Sequence, residues 1–186
     1  MKNKDIFQHP DLYVRQSAQM GVNMEIERKF QIKIMPENLS GFRKKEIEQG
    51  YLCTKPVVRI RKSNEDYILT YKSRLGMTEK PGAAALTCEE VEVPLSREAY
   101  EHLREKTDYY LISKTRYLIP LEGGYTAELD VFHGRLEGLS FAEVEFPSEE
   151  EAAAFVPPAW FGRDVSFDKH YKNNYLSTLE SFQGCS

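Results

Sequence analysis

The heptapeptide Met-Glu-Ile-Glu-Arg-Lys-Phe at residues 24–30 decides the fold class of this chain. Alternate residues of a β-strand point to the same face, so Glu25, Glu27 and Lys29 project together from one side. The apolar residues turn to the other side, with Arg28 among them. The stretch therefore predicts a strand that has one charged face and one mainly apolar face.

The same alternation of charges recurs in six further segments. They contain Arg59 and Arg61, Lys72, Glu90 and Glu92, Lys114 and Arg116, Glu128 and Asp130, and Glu143 and Glu145. Each pair carries one sign, whereas a solvated face usually mixes both signs. Divalent cations would neutralise the acidic pairs, and a polyanion would neutralise the basic pairs. If the sheet closes on itself, both sets face one lumen, and the natural occupant of that lumen is a metal-bound polyphosphate.

Two other interpretations fit parts of this pattern. Any single charged pair is typical of a sheet face that simply meets water. Polar-inside, apolar-outside alternation also occurs in outer-membrane barrels. Most predicted strands here are shorter than the roughly 9–11 residues that cross a bilayer, and helix signals separate them. We therefore reject the membrane interpretation.

The length of 186 residues and the composition support one folded domain, predicted over residues 24–182. Residues 1–23 are polar and predict an N-terminal extension. The 25 basic and 29 acidic residues give a net charge of −4, which argues against a strongly basic nucleic-acid binder. Three scattered cysteines suggest neither a disulfide framework nor a metal site, and no apolar run reaches membrane-span length. We expect a cytoplasmic protein, either a monomer or a homodimer, without nucleic-acid or membrane partners.

Turn and capping signals divide the rest of the chain into many strands and a few helices. Helices are predicted at 36–49, after Pro36, at 97–106, after an N-cap at Ser96, next to a capping box at 148–151, and at 168–182. Strands are predicted at 24–34, 51–54, 57–62, 66–73, 88–95, 109–119, 125–133 and 139–146. This order favours an α+β, mainly β fold with an antiparallel sheet.

Taken in order, the charged motifs resemble the CYTH superfamily, also called triphosphate tunnel metalloenzymes. The similar motifs are Glu25-x-Glu27-x-Lys29, Gln49-Gly50-Tyr51, Arg59-x-Arg61, Thr70-Tyr71-Lys72, Glu90-x-Glu92, Lys114-x-Arg116, Glu128-x-Asp130, Glu143-x-Glu145 and Asp168-Lys169-x-Tyr171-x-Asn173. The resemblance covers about residues 24–180. It implies an eight-stranded antiparallel β-barrel that forms a tunnel, with flanking helices, and chemistry that depends on Mg²⁺ or Mn²⁺.

The resemblance also implies roles for individual residues. Lys29 and Tyr51 would position and activate the attacking water. The triphosphate would be held by Lys29, Arg59, Arg61, Lys72, Lys114, Arg116 and Lys169. The metal ions would be held by Glu25, Glu27, Glu90, Glu92, Asp130, Glu143 and Glu145. Cys88 departs from the pattern, because the family often has an arginine at this position.

Hydrolysis of inorganic tripolyphosphate to pyrophosphate and phosphate is the function we expect. The alternatives are adenylate cyclase activity of the class IV type and hydrolysis of a nucleoside or thiamine triphosphate. No base-reading motif is evident, which favours the simpler substrate. Outside enzymes, the chain could act as a polyphosphate-binding sensor, although retention of all the acidic pairs favours catalysis. Lys29 could assist the water through a lowered pKa or serve as a permanently charged phosphate ligand.

Overall fold

The computed structural model describes residues 23–73, 83 and 85–182 of the chain. Its strands are β1 (Asn23–Ile32), β2 (Arg43–Thr54), β3 (Val57–Ser63), β4 (Asp66–Ser73), β5 (Leu86–Pro94), β6 (Ile112–Pro120), β7 (Thr126–Phe132), β8 (Ser140–Glu145) and β9 (Phe161–Asp164). Its α-helices are α1 (Arg97–Arg104), α2 (Glu149–Ala154) and α3 (Asn173–Leu176). Short 3₁₀ turns occur at Leu39–Gly41, Glu122–Gly124, Gly134–Leu136 and Lys169–Tyr171. The predicted extension at 1–23 lies outside the described residues, except for Asn23.

All ladders of the sheet are antiparallel, and the strand order is β5-β4-β3-β2-β6-β7-β8-β1-β9. The sheet curls so that β5 also reaches β1. At Glu27, β1 pairs with Leu86 of β5 and with Glu145 of β8. The β5–β1 ladder involves Asn23–Glu27, and β9 pairs with β1 farther along, at Phe30 and Ile32. The predicted mainly β α+β class is confirmed, with nine strands in the described chain rather than eight.

The predicted helix at 36–49 is wrong, because its second half, residues 43–49, belongs to β2. Residues 43–49 are good helix formers, but in β2 residues 43–49 pair with β6 and residues 47–54 pair with β3. Two ladders outweigh the small helix propensities of lysine and glutamate. Gly50 fits this packing, because a Cβ there would lie 2.5 Å from Thr107 Cγ2 and 2.7 Å from Leu111 Cδ2.

The predicted helix caps at Ser96 and Ser148 are confirmed. The Ser96 hydroxyl accepts the backbone N–H of Ala99, and the Ser148 hydroxyl accepts that of Glu151. The predicted final helix at 168–182 is wrong in extent, because the segment forms a 3₁₀ turn followed by the four-residue α3. The short strand β9 was not predicted. Its four residues follow two prolines and carry too little alternation to indicate a strand.

Two apolar clusters support the sheet. The larger cluster lies between the sheet and α2, and it includes Phe30, Leu129 and Phe161. The second includes Phe132 and Phe141, and it also contains Leu176 of α3. Within the described residues, no helix is long and apolar enough to cross a membrane.

Candidate active site

The curled sheet encloses a cavity of about 1280 Å³. Apart from Lys29, the strands that contribute cations to its lining differ from those that contribute carboxylates. Four adjacent strands contribute cations to its lining: Lys45 from β2, Arg59 and Arg61 from β3, Lys72 from β4 and Arg116 from β6. Four further strands contribute carboxylates: Glu25 and Glu27 from β1, Glu90 and Glu92 from β5, Glu128 from β7, and Glu143 and Glu145 from β8. We call these sets the basic wall and the acidic wall. An anion bound to the basic wall would therefore face carboxylates.

Two cations of the basic wall are neutralised by carboxylates of β1 and β5. Lys72 Nζ lies 2.5 Å from Glu25 Oε2 and 3.4 Å from Glu90 Oε1. Arg59 lies 3.5 Å from Glu90 Oε1 and 3.7 Å from Glu92 Oε1, and it donates to the Thr70 hydroxyl at 2.9 Å. These contacts join the two walls where β4 meets β5.

Arg61 has no such neutralisation. It lines the cavity, yet it forms no ion pair or hydrogen bond with any described residue, and its buried Nε lacks a partner. Burial, with repulsion from Arg59 and Arg116, lowers the pKa of Arg61 to about 10. A guanidinium cannot lose its charge at physiological pH, so the unsatisfied group marks a place for an anion.

The acidic wall has a comparable feature at Glu27 and Glu145, which are cross-strand partners on β1 and β8. Neither carboxylate forms an ion pair or a hydrogen bond with a described residue. Burial raises the pKa of Glu27 to about 7, and repulsion from Glu143 and Glu25 adds to the effect. Burial and repulsion from Glu128 raise the pKa of Glu145 to about 6. A cation placed between these carboxylates would relieve the repulsion.

Lys29 is the exception on the acidic wall, because it is a cation surrounded by carboxylates. Its Nζ lies 2.8 Å from Glu143 Oε1 and donates to the Tyr171 carbonyl oxygen at 3.1 Å. Burial alone would lower the pKa of Lys29, but Glu143 and Glu27 outweigh it, and the pKa is raised above its usual value. Of the two roles that the sequence allows for Lys29, these surroundings favour the permanently charged ammonium over the group with a lowered pKa.

The backbone of Lys29 is held from outside the sheet by the segment that follows β9. The Lys29 N–H donates to the Ser166 hydroxyl at 2.9 Å, and that hydroxyl lies 2.5 Å from Asp164 Oδ1. Arg28 completes the chain of contacts, with its guanidinium 2.8 Å from Asp164 Oδ2. This clamp fixes β1 at the residue whose side chain enters the acidic wall.

Tyr51 lines the cavity and is buried, with 4% of its surface exposed. Burial raises the pKa of its phenol. Its hydroxyl accepts a hydrogen bond from Gln49 Nε2 at 3.1 Å. Because this contact uses the oxygen as an acceptor, the phenolic proton remains available to donate to a ligand.

Three predicted site residues do not line the cavity. Lys114 and Asp130 are fully buried beside it, 2.5 Å apart, and Asp130 also forms a two-bond ion pair with Arg116. Burial lowers the pKa of Lys114 to about 8. In this structure the pair supports Arg116, whose guanidinium also lies 2.6 Å from Glu143 Oε2. Lys169 is exposed on the 3₁₀ turn before α3.

The other twelve predicted site residues are brought together around the cavity. They are Glu25, Glu27, Lys29, Tyr51, Arg59, Arg61, Lys72, Glu90, Glu92, Arg116, Glu143 and Glu145. The side chain of Cys88 lies outside the described part of the chain.

Five charged residues of the lining were not among the predicted site residues: Lys45, Lys55, Glu128, Asp168 and Lys172. Lys45 was placed in the wrongly predicted helix, although it alternates with Ile47 in a way that a strand would explain. Glu128 was recognised as one member of a pair with Asp130. Glu128 and Asp130 lie on the same face of β7. Glu128 lines the cavity, whereas Asp130, two residues farther along the strand, is buried in the packed interior. Lys55 and Lys172 lie in a turn and a connecting segment, for which alternation gives no signal.

The residues present suit a hard divalent cation. The described residues contain no group of three His, Cys, Asp or Glu side chains already arranged around a metal position. Mg²⁺ does not require such a group, because it commonly uses one or two carboxylates together with water and substrate phosphates. Glu27 and Glu145 offer two carboxylates of this kind, and neither forms an ion pair with a described residue.

Comparisons with known proteins agree with this geometry. The chain is 38% identical over 156 residues to an inorganic triphosphatase of Nitrosomonas europaea, covering 82% of this chain and 96% of that protein. It is 34% identical over 156 residues to an inorganic triphosphatase of Acetivibrio thermocellus, covering 82% and 92% respectively. A crystal structure of an inorganic triphosphatase matches with a TM-score of 0.61 at 36% identity, covering 89% of this chain and all of that one.

The match to a family is equally extensive. Residues 23–170 match the CYTH domain. This range spans β1 to β9 and contains every residue of the basic and acidic walls. The chain belongs to the CYTH domain family.

Proposed function

We propose that this protein hydrolyses inorganic tripolyphosphate to pyrophosphate and phosphate within the cavity, in a reaction that requires Mg²⁺ or Mn²⁺. The observation that carries the proposal is Arg61, a cation in the lining without an ion-pair partner among the described residues, opposite a wall of carboxylates. The relatives named inorganic triphosphatases support the same substrate class.

The basic wall would bind the phosphate chain. Arg59, Arg61 and Arg116 can each donate two parallel hydrogen bonds to phosphoryl oxygens, and Lys72 acts as a point charge. Phosphoryl transfer depends mainly on neutralising these oxygens and on placing the attacking oxygen in line with the leaving oxygen. Arg59 and Lys72 would have to exchange some of their contacts with Glu25 and Glu90 for substrate contacts, and Arg116 some of its contacts with Glu128 and Glu143. Arg61 has no ion pair with a described residue to exchange.

The acidic wall would complete the site. Glu27 and Glu145 are the residues best suited to hold the divalent cation, with Glu25 and Glu143 next to them. When bound, that cation supplies charge neutralisation and a lowered pKa for water. Lys29 would remain protonated beside Glu143 and would orient a phosphoryl oxygen or the attacking water. Tyr51 would donate its phenolic proton to the same region.

The lining does not favour nucleotide cyclisation. Tyr51 is the single aromatic residue that lines the cavity in the described chain, and its hydroxyl is engaged by Gln49. A nucleotide base would therefore meet charged side chains rather than an aromatic surface on which to stack. The simpler inorganic substrate uses the charged walls fully.

The test is phosphate release from tripolyphosphate with Mg²⁺, with Mn²⁺ and with a chelator. We expect turnover with a metal ion, and a loss of at least about 100-fold in Glu27→Ala, the scale typical of removing an essential electrostatic group. Glu101→Ala, at an exposed position of α1, provides the matched control and should retain wild-type activity. Turnover that persists in chelator, or an active Glu27→Ala variant, would contradict the proposal.

A further inference from the structure

The cavity reaches the surface at two places that lie at opposite ends of the strands. Glu145 is exposed, lines the cavity and is the last residue of β8. Lys55 is also exposed and lines the cavity, and it lies in the turn between β2 and β3. Since the ladders are antiparallel throughout, the end of β8 and the end of β2 are at opposite ends of the sheet. We call these openings the Glu145 mouth and the Lys55 mouth.

The Glu145 mouth is predominantly acidic. Glu92 and Glu128 line the cavity near the same strand ends, and their side chains are 44% and 22% exposed. A groove of about 360 Å³ continues outward from Glu128 and Glu145 and reaches Glu151 on α2. Two basic residues line this end among the described residues, Lys45 and its cross-strand partner Arg116, which forms an ion pair with Glu128. A polyanion that approached here would meet at least four carboxylates.

The Lys55 mouth has the opposite balance. It lies between the β2–β3 turn and the start of α3, where Lys172, Asn173 and Asn174 line the cavity. The two segments are close together, because Val57 and Tyr171 pack against the same apolar cluster. Asp168 lines this mouth, and Arg163 lies 3.4 Å from it. Glu90 also lines the cavity on this side, across the ladder from Lys72, but it is ion-paired with Lys72 and Arg59. The Asn173 Oδ1 atom is buried without a hydrogen-bond partner.

Such a charge difference acts on a polyanion before it makes any contact. A charged opening with low-dielectric walls raises the local concentration of oppositely charged ligands and their association rate. The effect extends about one Debye length, roughly 8–10 Å at ordinary ionic strength. A like-charged opening repels the same ligand. The two mouths therefore differ in their accessibility to a phosphate chain.

We propose that the phosphate-chain substrate enters the cavity through the Lys55 mouth, steered by Lys55 and Lys172, and that the acidic Glu145 mouth excludes it. This proposal rests on the function proposed above. It adds a direction of access, and it assigns to Lys55 and Lys172 a role in capturing substrate that is separate from the chemical step.

Opposite charge reversals at the two mouths test the direction. Lys55→Glu adds two negative charges to one mouth, and Glu151→Lys adds two positive charges beside the other. Arg97→Glu, on α1 with a side chain 71% exposed, controls for net charge. We expect kcat/KM for tripolyphosphate to fall about 10-fold in Lys55→Glu at low salt, within the range of electrostatic steering. Screening should shrink the loss to about 2-fold at 0.5 M salt. Glu151→Lys and Arg97→Glu should stay within about 2-fold of wild type.

The reverse pattern would overturn the proposal: a large increase in kcat/KM for Glu151→Lys together with an unchanged Lys55→Glu variant. Equal effects of Lys55→Glu and Arg97→Glu would also overturn it, because only net charge would then matter. The association rate of tripolyphosphate with the same variants, measured by stopped flow, separates the proposed direction of access from the proposed hydrolysis. If wild type binds but does not turn over tripolyphosphate, the proposed function fails, and the association rates alone decide the direction of access.

Discussion

Replacement of Arg61 by methionine should stabilise the protein while it weakens substrate binding. Arg61 is held in the cavity lining without an ion pair to any described residue, so the folded protein loses the hydration of its charge without compensation. The lowering of its pKa to about 10 corresponds to about 3 kcal/mol at 1.36 kcal/mol per pKa unit. Because solvent reaches part of the side chain, we expect a gain of about 1–2 kcal/mol, which fits other replacements of buried charges.

The assay compares unfolding with binding in the same variant. A gain of about 1–2 kcal/mol should raise Tm by about 2–8 °C for a chain of this size. Tripolyphosphate affinity, measured by calorimetry, should fall about 30-fold, because a charge-assisted hydrogen-bonding group is lost from a desolvated site. A lower Tm, or unchanged affinity, would refute the assignment of Arg61 as an anion-binding group that lacks a partner in the free protein.

Arg59→Met provides the matched control, because the two arginines are neighbours on one face of β3. Arg59 is paired with Glu90 and Glu92 and donates to Thr70. Its removal takes one ion-pair partner from Glu90 and Glu92 and a hydrogen-bond donor from Thr70, so stability should fall by about 1–3 kcal/mol. Opposite signs for the two variants would show that the local charge balance, and not the loss of an arginine as such, sets the effect.

Three further variants test other parts of the structure. Gly50→Ala should lower the free energy of unfolding by about 1–3 kcal/mol in urea titrations, because the new Cβ meets Thr107, and Thr107→Ser should restore part of the loss. The hydrogen bonds from Arg104 of α1 lower the pKa of Glu48. The contact therefore stabilises the protein fully above the usual glutamate pKa, and this stabilisation is lost as the pH falls through the lowered pKa. The stability difference between wild type and Glu48→Gln should therefore shrink from pH 7 to pH 3; a constant difference would contradict this origin. Ser166→Ala should lower kcat about 10-fold with little change in KM, because Lys29 loses its clamp, whereas Ser166→Thr should retain activity.

The alternation of charges at 24–30 was sufficient to predict the most informative part of the fold. Period-2 patterning specifies both a strand and the face that looks inward, and the structure places Glu25, Glu27 and Lys29 in the cavity lining. The same reasoning failed for β2, where residues 43–49 combine helix-forming side chains with strand alternation. The ladders to β3 and β6 decide the outcome there, and they join residues too distant in sequence for local propensity to reveal.

The sequence also could not predict which residues of an inward-facing strand line the cavity and which are buried below it. Glu128 and Asp130 share a face of β7, and alternation treats them alike. The packing of Phe132 and Phe141 fills the interior below the cavity, so Asp130 becomes part of a buried ion-pair network with Lys114 while Glu128 stays in the lining. How far a charged face is filled depends on the stagger of all the strands, which no single segment encodes.

Competition between two substrates in one tube tests the central claim most directly. Tripolyphosphate and ATP at equal concentration, with Mg²⁺, are followed by ³¹P NMR after addition of the enzyme. We predict that the tripolyphosphate resonances give way to pyrophosphate and phosphate while the ATP resonances persist. Conversion of ATP to cyclic AMP and pyrophosphate, or preferential loss of its γ-phosphate, would contradict the account, as would unchanged resonances of both substrates.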